Sequence, residues 1–369
     1  MLDPLSCLVP ASSGPAPKPL PRRFLLTPSP DHADDYILHL DYSHGLAPFL
    51  ECQRRWENLN IHAREANKPT IAKDFGTLFH TCEELRLREG FSDSLRLRQR
   101  RIVSEFFLRH PNPPDDFRTA DRMFDVLSRY EKQYLGDGWP EAVLVHEGQK
   151  AVELPFKVEL CTVPVNTQLP FPRETLITPW SETQSWRPDI ANCGTEHTGV
   201  RNLHVFLTGK IDAVLTNSNL LWVVDHKTSS RGGKEFEEAF RLSMQTRGYC
   251  WAAQKILGLE VAGLTMNAVI VRPMTPTGKH TELKRVTYFY SQESLAEWEE
   301  NAKATCEDIV SSLLRGYFPQ AARSFKSPCA GCDFQENCCL PPDQRAGDLA
   351  STLYKDVTWS PTNEGESFE

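Results

Sequence analysis

Gly209-Lys210-Ile211-Asp212 and, twelve residues further on, Asp225-His226-Lys227 form the most informative stretch of this sequence. Apolar residues around both segments predict two strands, joined by a turn at residues 217–219. In such a hairpin Asp212 and Asp225 lie side by side. Lys227 points to the same face as Asp225, because the two residues are two positions apart on one strand. Two carboxylates beside an ammonium group can hold Mg²⁺ or Mn²⁺, with Lys227 helping to position water for attack on phosphorus.

Polar side chains before and after this hairpin can complete the same site. Upstream, Gly76-Thr77-Leu78-Phe79-His80 begins a predicted helix, and the His80 imidazole could provide another ligand to the ion. Downstream, Gln245 and Tyr249 lie four residues apart in a helix predicted over residues 235–257, and therefore on one face of it. They could reach back towards a phosphate or the attacking water. Each feature alone is common on protein surfaces, so their order along the chain carries the interpretation.

This order of motifs resembles the PD-(D/E)XK nuclease superfamily, specifically its RecB-type branch, over about residues 40 to 340. The resemblance implies an α/β fold with a central mixed β-sheet flanked by helices, the restriction-endonuclease-like core. It also implies that Asp212, Asp225 and His80 are metal ligands, and that Lys227, Gln245 and Tyr249 join the two aspartates in catalysis. Two positions depart from the family pattern: Ile211 replaces the proline, and Asp225 stands where many relatives have glutamate. Neither change removes a ligand.

Eleven cysteines in a chain without an evident export signal favour metal or cluster ligation over disulfides. Cys329, Cys332 and Cys338 lie close together, Cys339 could replace Cys338, and Cys52 is the candidate for a fourth ligand. Spacing alone leaves Zn²⁺ and a [4Fe–4S] cluster open, with zinc slightly ahead. The resemblance favours the [4Fe–4S] cluster. AddB-like, CRISPR-associated and exonuclease V-type nucleases place one cysteine before the nuclease core and three after it. The cluster would act as a C-terminal structural staple.

The formal net charge of −8 argues against binding nucleic acid through bulk charge, so a polyanion would have to meet a local basic patch. Six arginines concentrate positive charge in the predicted helical region: Arg86, Arg88, Arg96, Arg98, Arg100 and Arg101. They are either a solvated helix face or a groove that follows the phosphates of a single strand.

Composition divides the 369 residues into three parts. We expect a flexible Pro-rich arm at residues 1–35, a nuclease domain at 36–340 and a flexible acidic tail at 341–369, which truncation after Cys339 could remove without harm. The domain is expected to contain a helical region at about 72–140, an insertion at about 162–202 and a cluster segment at 324–340. A helix is predicted from Leu46 to Trp56. No run of about 18 apolar residues occurs, which argues against a membrane span, and no secretory signal is evident, so we expect an intracellular protein of the cytoplasm or a nucleoid-like compartment.

These features predict a metal-dependent DNA nuclease, most simply an exonuclease that acts on single strands or free ends in DNA repair, recombination or processing. No Gly-x-x-x-x-Gly-Lys-Ser/Thr motif is present, so ATP-driven unwinding would come from a partner such as a helicase or recombination protein. Two alternatives stay open. One is a catalytically silent DNA-binding or scaffolding subunit of a helicase–nuclease complex, and the other is a small zinc-organised binding protein.

Overall fold

The computed structural model describes residues 25–31, 35–67, 71–111, 113, 115–135, 142–167, 200–217, 220–273, 281–321, 328–341, 344–345 and 352–356. Its elements in chain order are β1 (Leu25–Pro28), β2 (Tyr36–Leu40), α1 (Ala47–Glu51), α2 (Gln53–Asn60), β3 (Arg64–Ala66), α3 (Ile71–Glu89), α4 (Asp93–Arg109), α5 (Ala120–Tyr134), β4 (Ala142–Val143), β5 (Val145–His146), β6 (Gln149–Lys150), β7 (Val152–Thr167), β8 (Val200–Asn217), β9 (Leu220–Ser229), α6 (Lys234–Arg241), α7 (Met244–Leu257), β10 (Val261–Val271), β11 (Thr281–Phe289), α8 (Gln292–Arg315), α9 (Gln335–Cys339) and β12 (Tyr354–Asp356).

A mixed sheet forms the centre, with strand order β1-β2-β8-β9-β10-β11 and with β4 and β7 also paired to β8. The long strand β8 is paired by β7 along one edge, and on the other edge first by β2 and then by β9. The β2–β8 and β9–β10 pairs are parallel, and the others are antiparallel. The expected α/β fold with a central mixed sheet flanked by helices is therefore confirmed.

Strand β10 shows why helices cover both faces of the sheet. Met266 and Ile270 join a core with α7 and α8, whereas Val269 and Val271 join a second core with α3, α4 and α5. Alternate residues of a strand point to opposite faces, so a strand that is buried along nearly all of its length must be covered on both sides. In the described part of the chain, no helix combines the length and apolar character that crossing a bilayer requires.

Two predicted helices are interrupted in the structure. The segment from Leu46 to Trp56 breaks at Cys52, whose extended backbone separates α1 from α2. The predicted helix at 235–257 is divided into α6 and α7, because the Ser243 hydroxyl accepts a hydrogen bond from the backbone N–H of Gln245 and starts a new helix. Hydrophobic periodicity continues across both breaks, so it gives no sign of either one.

Both ends of the chain differ from the expected flexible segments. At the N-terminal end, Leu25–Pro28 pairs with β2, within the arm predicted at 1–35. At the C-terminal end, Tyr354–Asp356 pairs with β3, and Tyr354 is buried against Phe334 with ring centroids 5.2 Å apart. A buried aromatic in a paired strand is not a removable tail, so truncation after Cys339 should be harmful. Residues 1–24 and 357–369 lie outside the described residues.

Strands occupy both ends of the segment expected to be an insertion at about 162–202. Strand β7 continues to Thr167 and β8 begins at Val200, while residues 168–199 lie outside the described part. Pro164 concealed the strand from sequence analysis, yet an edge strand accepts proline because one side of it makes no ladder hydrogen bonds. The predicted helical region contains α3, α4 and α5. Two short segments lie outside the described residues: 218–219 of the predicted turn, and 322–327 next to the cysteine trio.

Candidate metal centre

Asp212 and Asp225 lie on neighbouring strands, as the hairpin prediction requires. The antiparallel register of β8 and β9 pairs Ala213 with Val224, which leaves the two aspartates as the next residues along. The backbone N–H of His226 donates to Oδ2 of Asp212 over 2.7 Å, so one carboxylate is fixed by the strand that carries the other.

Asp225 is a buried carboxylate, with 2% of its surface exposed. Lys227 lies on the same face of β9 and donates to Asp225 Oδ1 over 2.7 Å. Within the described residues, Asp225 Oδ2 has no hydrogen-bond partner. Burial raises the pKa of Asp225 above its ordinary value, although the Lys227 charge opposes the shift. An unpaired buried carboxylate oxygen is costly, and a bound cation would relieve that cost.

His80 reaches this pair of strands from α3. Its Nδ1 lies 3.4 Å from Asp212 Oδ2. The helix approaches β9 closely because Gly76 has no side chain: a Cβ there would lie 2.7 Å from Thr228 Oγ1. Burial is the largest single influence and lowers the pKa of His80, but the charge of Asp212, its hydrogen bond to His80 and the charge of Asp225 together raise that pKa to about 9. His80 and Asp212 therefore form an ion pair that a metal ion would have to replace.

Glu153 is a site residue that sequence analysis missed. The register of β7 and β8 pairs Val152 with Ala213 and Leu154 with Ile211, so Glu153 lies beside Asp212. One ligand atom each from His80, Glu153 and Asp212 lie within 4.8 Å of one another. Glu153 has a φ of 51°, in the left-handed region. The only signal in the sequence was an acidic residue in an apolar strand, and the pairing partner of that strand was unknown.

The donors suit a hard divalent cation. Carboxylate oxygens are the ligands that Mg²⁺ and Mn²⁺ prefer. Burial raises the pKa of Glu153, and the charge of Asp212 raises it further. Like-charged carboxylates held this close repel one another unless protons or a cation compensate them. The donor set and the unpaired Asp225 oxygen together fit Mg²⁺ or Mn²⁺.

Gln245 and Tyr249 lie one turn apart on α7, and Gln245 Nε2 donates to Tyr249 Oη over 3.0 Å. Burial raises the pKa of Tyr249 well above its ordinary value, and the charges of Asp225 and Asp212 add to the shift, which places this hydroxyl near the carboxylates. Tyr42 packs edge-on against Tyr249 with ring centroids 5.2 Å apart. Only glycine fits at position 248, where a Cβ would lie 2.2 Å from the Tyr42 ring.

The six arginines do not form one patch. Arg88, Arg98 and Arg101 line the same cleft of about 1510 Å³ as His80 and Asp212. The others line a separate pocket of about 380 Å³: Arg86, Arg96 and Arg100. In the cleft the three arginines pair with Glu84, Glu89 and Glu105 respectively, so acidic neighbours offset part of their charge.

The structure brings the four predicted cysteine ligands to one cavity. Cys52, Cys329, Cys332 and Cys338 line a space of about 330 Å³, and Cys339 lines it too. Burial raises the pKa of Cys332, and the thiols of Cys52 and Cys329 raise it further. Among the described residues, no three of these sulfurs lie within 4.8 Å of one another. The shared cavity could hold a bound group, and both Zn²⁺ and a [4Fe–4S] cluster take four thiolate ligands.

Comparisons with known proteins were made against families, curated proteins and solved structures. A family model described as the PD-(D/E)XK nuclease superfamily matches residues 44–339. No curated protein matches the chain significantly in sequence. The crystal structure of a candidate exonuclease from Eubacterium rectale has a TM-score of 0.41 and 9% identity, covering 79% of this chain and 87% of that one. The crystal structure of SSO0001 has a TM-score of 0.23 and 12% identity, covering 74% and 97%. At these TM-scores neither likeness bears on activity.

Proposed function

Because this chain belongs to the PD-(D/E)XK nuclease superfamily, whose members are metal-dependent nucleases, we propose that it is a DNA exonuclease that degrades single strands from a free end. The observation that carries the proposal is the buried Asp225–Lys227 pair, whose Oδ2 has no partner among the described residues, on the strand next to Asp212 of the His80, Glu153 and Asp212 cluster. A scaffold would gain nothing from such a pocket, because buried charges cost stability. The retained charges therefore favour the enzyme over the silent subunit.

Each residue has a proposed role. Asp212, Asp225, His80 and Glu153 would hold Mg²⁺ or Mn²⁺, which at such sites polarises a phosphoryl oxygen and lowers the pKa of water. The Lys227 ammonium group lies beside Asp225, so its Nζ would stabilise the negative charge that develops on phosphate oxygens. The Tyr249 hydroxyl, held by Gln245, would orient the attacking water or the phosphate.

The preference for a single strand and a free end rests on the RecB-type resemblance and on the cleft. Arg88, Arg98 and Arg101 supply phosphate-binding groups along it, together with Lys73 and Lys150. We further propose that unwinding of duplex DNA falls to a partner helicase, and that the protein acts in DNA repair, recombination or processing.

A cleavage assay tests the proposed activity. Single-stranded and duplex DNA, labelled at the 5′ or the 3′ end, are incubated with the wild type and with Asp225→Asn in Mg²⁺ or Mn²⁺. We expect progressive shortening of single strands, and a loss of rate of about 10³-fold or more in the variant. Glu105→Gln, also in the cleft, is the matched control and should cleave normally. Strand binding without cleavage by the wild type would favour the scaffolding subunit instead.

We also propose a structural [4Fe–4S] cluster held by Cys52, Cys329, Cys332 and Cys338. The cavity that these four cysteines share supports a common bound group, and the RecB-type resemblance favours the cluster over zinc. Anaerobically purified protein should be brown and should contain iron and sulfide. Cys52→Ala or Cys338→Ala should lose the colour, the iron and the sulfide. Cys339→Ala is the control and should retain them. Stoichiometric zinc without iron in the wild type would overturn the cluster and support the zinc alternative.

A further inference from the structure

The pocket that receives Arg86, Arg96 and Arg100 lies outside the metal centre. It is enclosed by α3, α4 and α5, and its volume of about 380 Å³ is in the range of small-ligand sites. Helix α4 separates it from the cleft, since Arg98 and Arg101 point into the cleft while Arg96 and Arg100 line the pocket. The α3–α4 pair is thus a wall with the metal centre on one side and this pocket on the other.

The charges of the pocket leave a positive excess. Its floor holds the ion pair of Arg86 with Glu83, joined over 2.7 Å, and Arg96 is engaged by Glu131 over 3.0 Å. The two remaining cations of the lining are Arg100 from α4 and Lys132 from α5. Among the ion pairs of the described residues, neither of these two takes part in one. Both are exposed at the surface, where they can meet an anion.

Aromatic rings supply the second half of the site. Phe91 and Phe124 both line the pocket. The guanidinium of Arg86 lies 5.1 Å from the ring of Phe91, and that of Arg100 lies 5.6 Å from the ring of Phe124. Cations close to aromatic faces, next to unpaired positive charge, are what proteins use to stack a base and bind its phosphate together.

We propose that this pocket binds one nucleotide of a single strand whose reacting end lies in the cleft. The phosphate would lie against Arg100 and Lys132, and the base against Phe91 or Phe124. A helix with its side chains is about 10–12 Å across, so a strand that crosses α4 reaches the pocket a few nucleotides from the metal centre. The pocket would thereby hold long strands and leave very short ones unanchored. This inference rests on the proposed function for its choice of nucleic acid.

The test is a length series. Affinities of oligothymidylates of about 4 to 16 nucleotides are measured in EDTA, so that no strand is cut, for the wild type and for Arg100→Glu combined with Lys132→Glu. We expect the dissociation constant of the longest strands to rise about tenfold, with little change for the shortest. The salt dependence should also weaken by about 0.7 in slope for each phosphate that the variant no longer neutralises. Arg109→Glu combined with Arg129→Glu, on the same two helices but outside the pocket and the cleft, is the matched control.

The outcomes separate this inference from the proposed function. Equal affinities of the two double variants for long strands would overturn the pocket. A second result would also overturn it. If thymidine monophosphate binds the wild type but not the pocket variant, while both proteins bind long strands equally well, the pocket is a site for free nucleotides. Failure of the wild type to cleave strands of any length with Mn²⁺ would count against the nuclease proposal instead, since the metal centre does not depend on the pocket.

Discussion

The Lys227 ammonium lies 2.7 Å from Oδ1 of Asp225, while the second oxygen of that buried carboxylate has no hydrogen-bond partner among the described residues. The ammonium group therefore satisfies only one of the two carboxylate oxygens. The arrangement is stable enough to form, yet it leaves room for a second positive charge. A site of this kind links the stability of the protein to the ion that it binds.

Lys227→Met should destabilise the metal-free protein, because it leaves Asp225 buried without its partner. Breaking such a pair costs about 3–5 kcal/mol. Thermal melting in EDTA measures the loss, and adding Mn²⁺ should restore more of the melting temperature in the variant than in the wild type. The double variant with Asp225→Asn removes both charges and should melt closer to the wild type. Equal melting of all three proteins would contradict the coupling.

Glu153→Gln should weaken Mn²⁺ binding by about 10- to 100-fold, which is the range for losing a supporting carboxylate at a metal site. Calorimetric titration with Mn²⁺ measures the change. Glu147→Gln is the control, since Glu147 also has a positive φ, of 49°, and lines the same cleft without belonging to the cluster. Unchanged affinity in Glu153→Gln would exclude this residue from the ligand set.

Gln245→Ala should reduce turnover without changing metal affinity, because its amide contacts Tyr249 rather than a carboxylate. Tyr249→Phe removes the hydroxyl that the amide supports and should have a similar effect. We expect a loss of about 10²-fold in rate for each, and less than the product of the two in the double variant, since they act as a unit. Loss of Mn²⁺ binding in Gln245→Ala would instead make it a metal ligand.

Tyr354→Ala should cost about 3 kcal/mol, as expected for removing a buried aromatic side chain. The ring packs against Phe334, and its hydroxyl donates to the carbonyl of Asp333 over 3.2 Å. A chain that stops after Cys339 should melt at a similarly reduced temperature, and one that stops after Asp356 should melt like the full chain. If the shorter chain is as stable as the longer one, β12 contributes nothing.

His204 should give the protein a pH-dependent contribution to stability. Its Nδ1 lies 2.9 Å from Glu159 and its Nε2 lies 3.3 Å from Asp35, and these two hydrogen bonds raise the pKa of His204, the one to Glu159 more strongly. A raised pKa means stability that is full below the unfolded value of about 6.5 and is lost as the pH rises through the folded value. The pKa of Glu159 is lowered, mainly by its hydrogen bond to His204. The stability that the Glu159 carboxylate contributes is therefore lost as the pH falls through this lowered pKa.

The measurement is the difference in melting temperature between the wild type and His204→Gln across pH. We expect the difference to be largest between about pH 5 and 6.5 and to shrink towards pH 9. Lys132→Gln, an exposed cation that takes part in no ion pair among the described residues, should show no such profile. A difference that grows with pH would contradict the assignment.

The parts of the fold with strong local patterns could be predicted from the sequence. Helix α8 begins where Ser291 indicates, since its hydroxyl accepts from the Ser294 N–H. The buried strand Tyr36–Leu40 was recognisable from its composition. The short strands β1 and β12 were not, because each has only a few residues and therefore little pattern of its own. The partner of β12, strand β3, also lies almost the whole chain away.

The candidate site divides in the same way. Asp225 and Lys227 share one strand, so their proximity follows from the two-residue period. Glu153 lies beside Asp212 because β7 pairs with β8. Residues 168–199 separate these two strands in the sequence, so no local pattern indicates that they pair. The arginines looked like one patch because they are close in sequence, but the turns of α3 and α4 direct them to two sides of these helices. Distances along a helical segment could not separate a cleft from a pocket.

The pairing of β3 with β12 has a consequence for how the protein is made. The ribosome delivers Arg64–Ala66 early and Tyr354–Asp356 only after every strand of the large sheet has been synthesised. The early strand must therefore wait, unpaired, through most of translation. The segment that contains Cys329, Cys332 and Cys338 is then the last part to pack, after the large sheet can already have folded. A chain stalled before Tyr354 would contain every residue of the candidate metal centre, but its strand β3 would lack the partner β12.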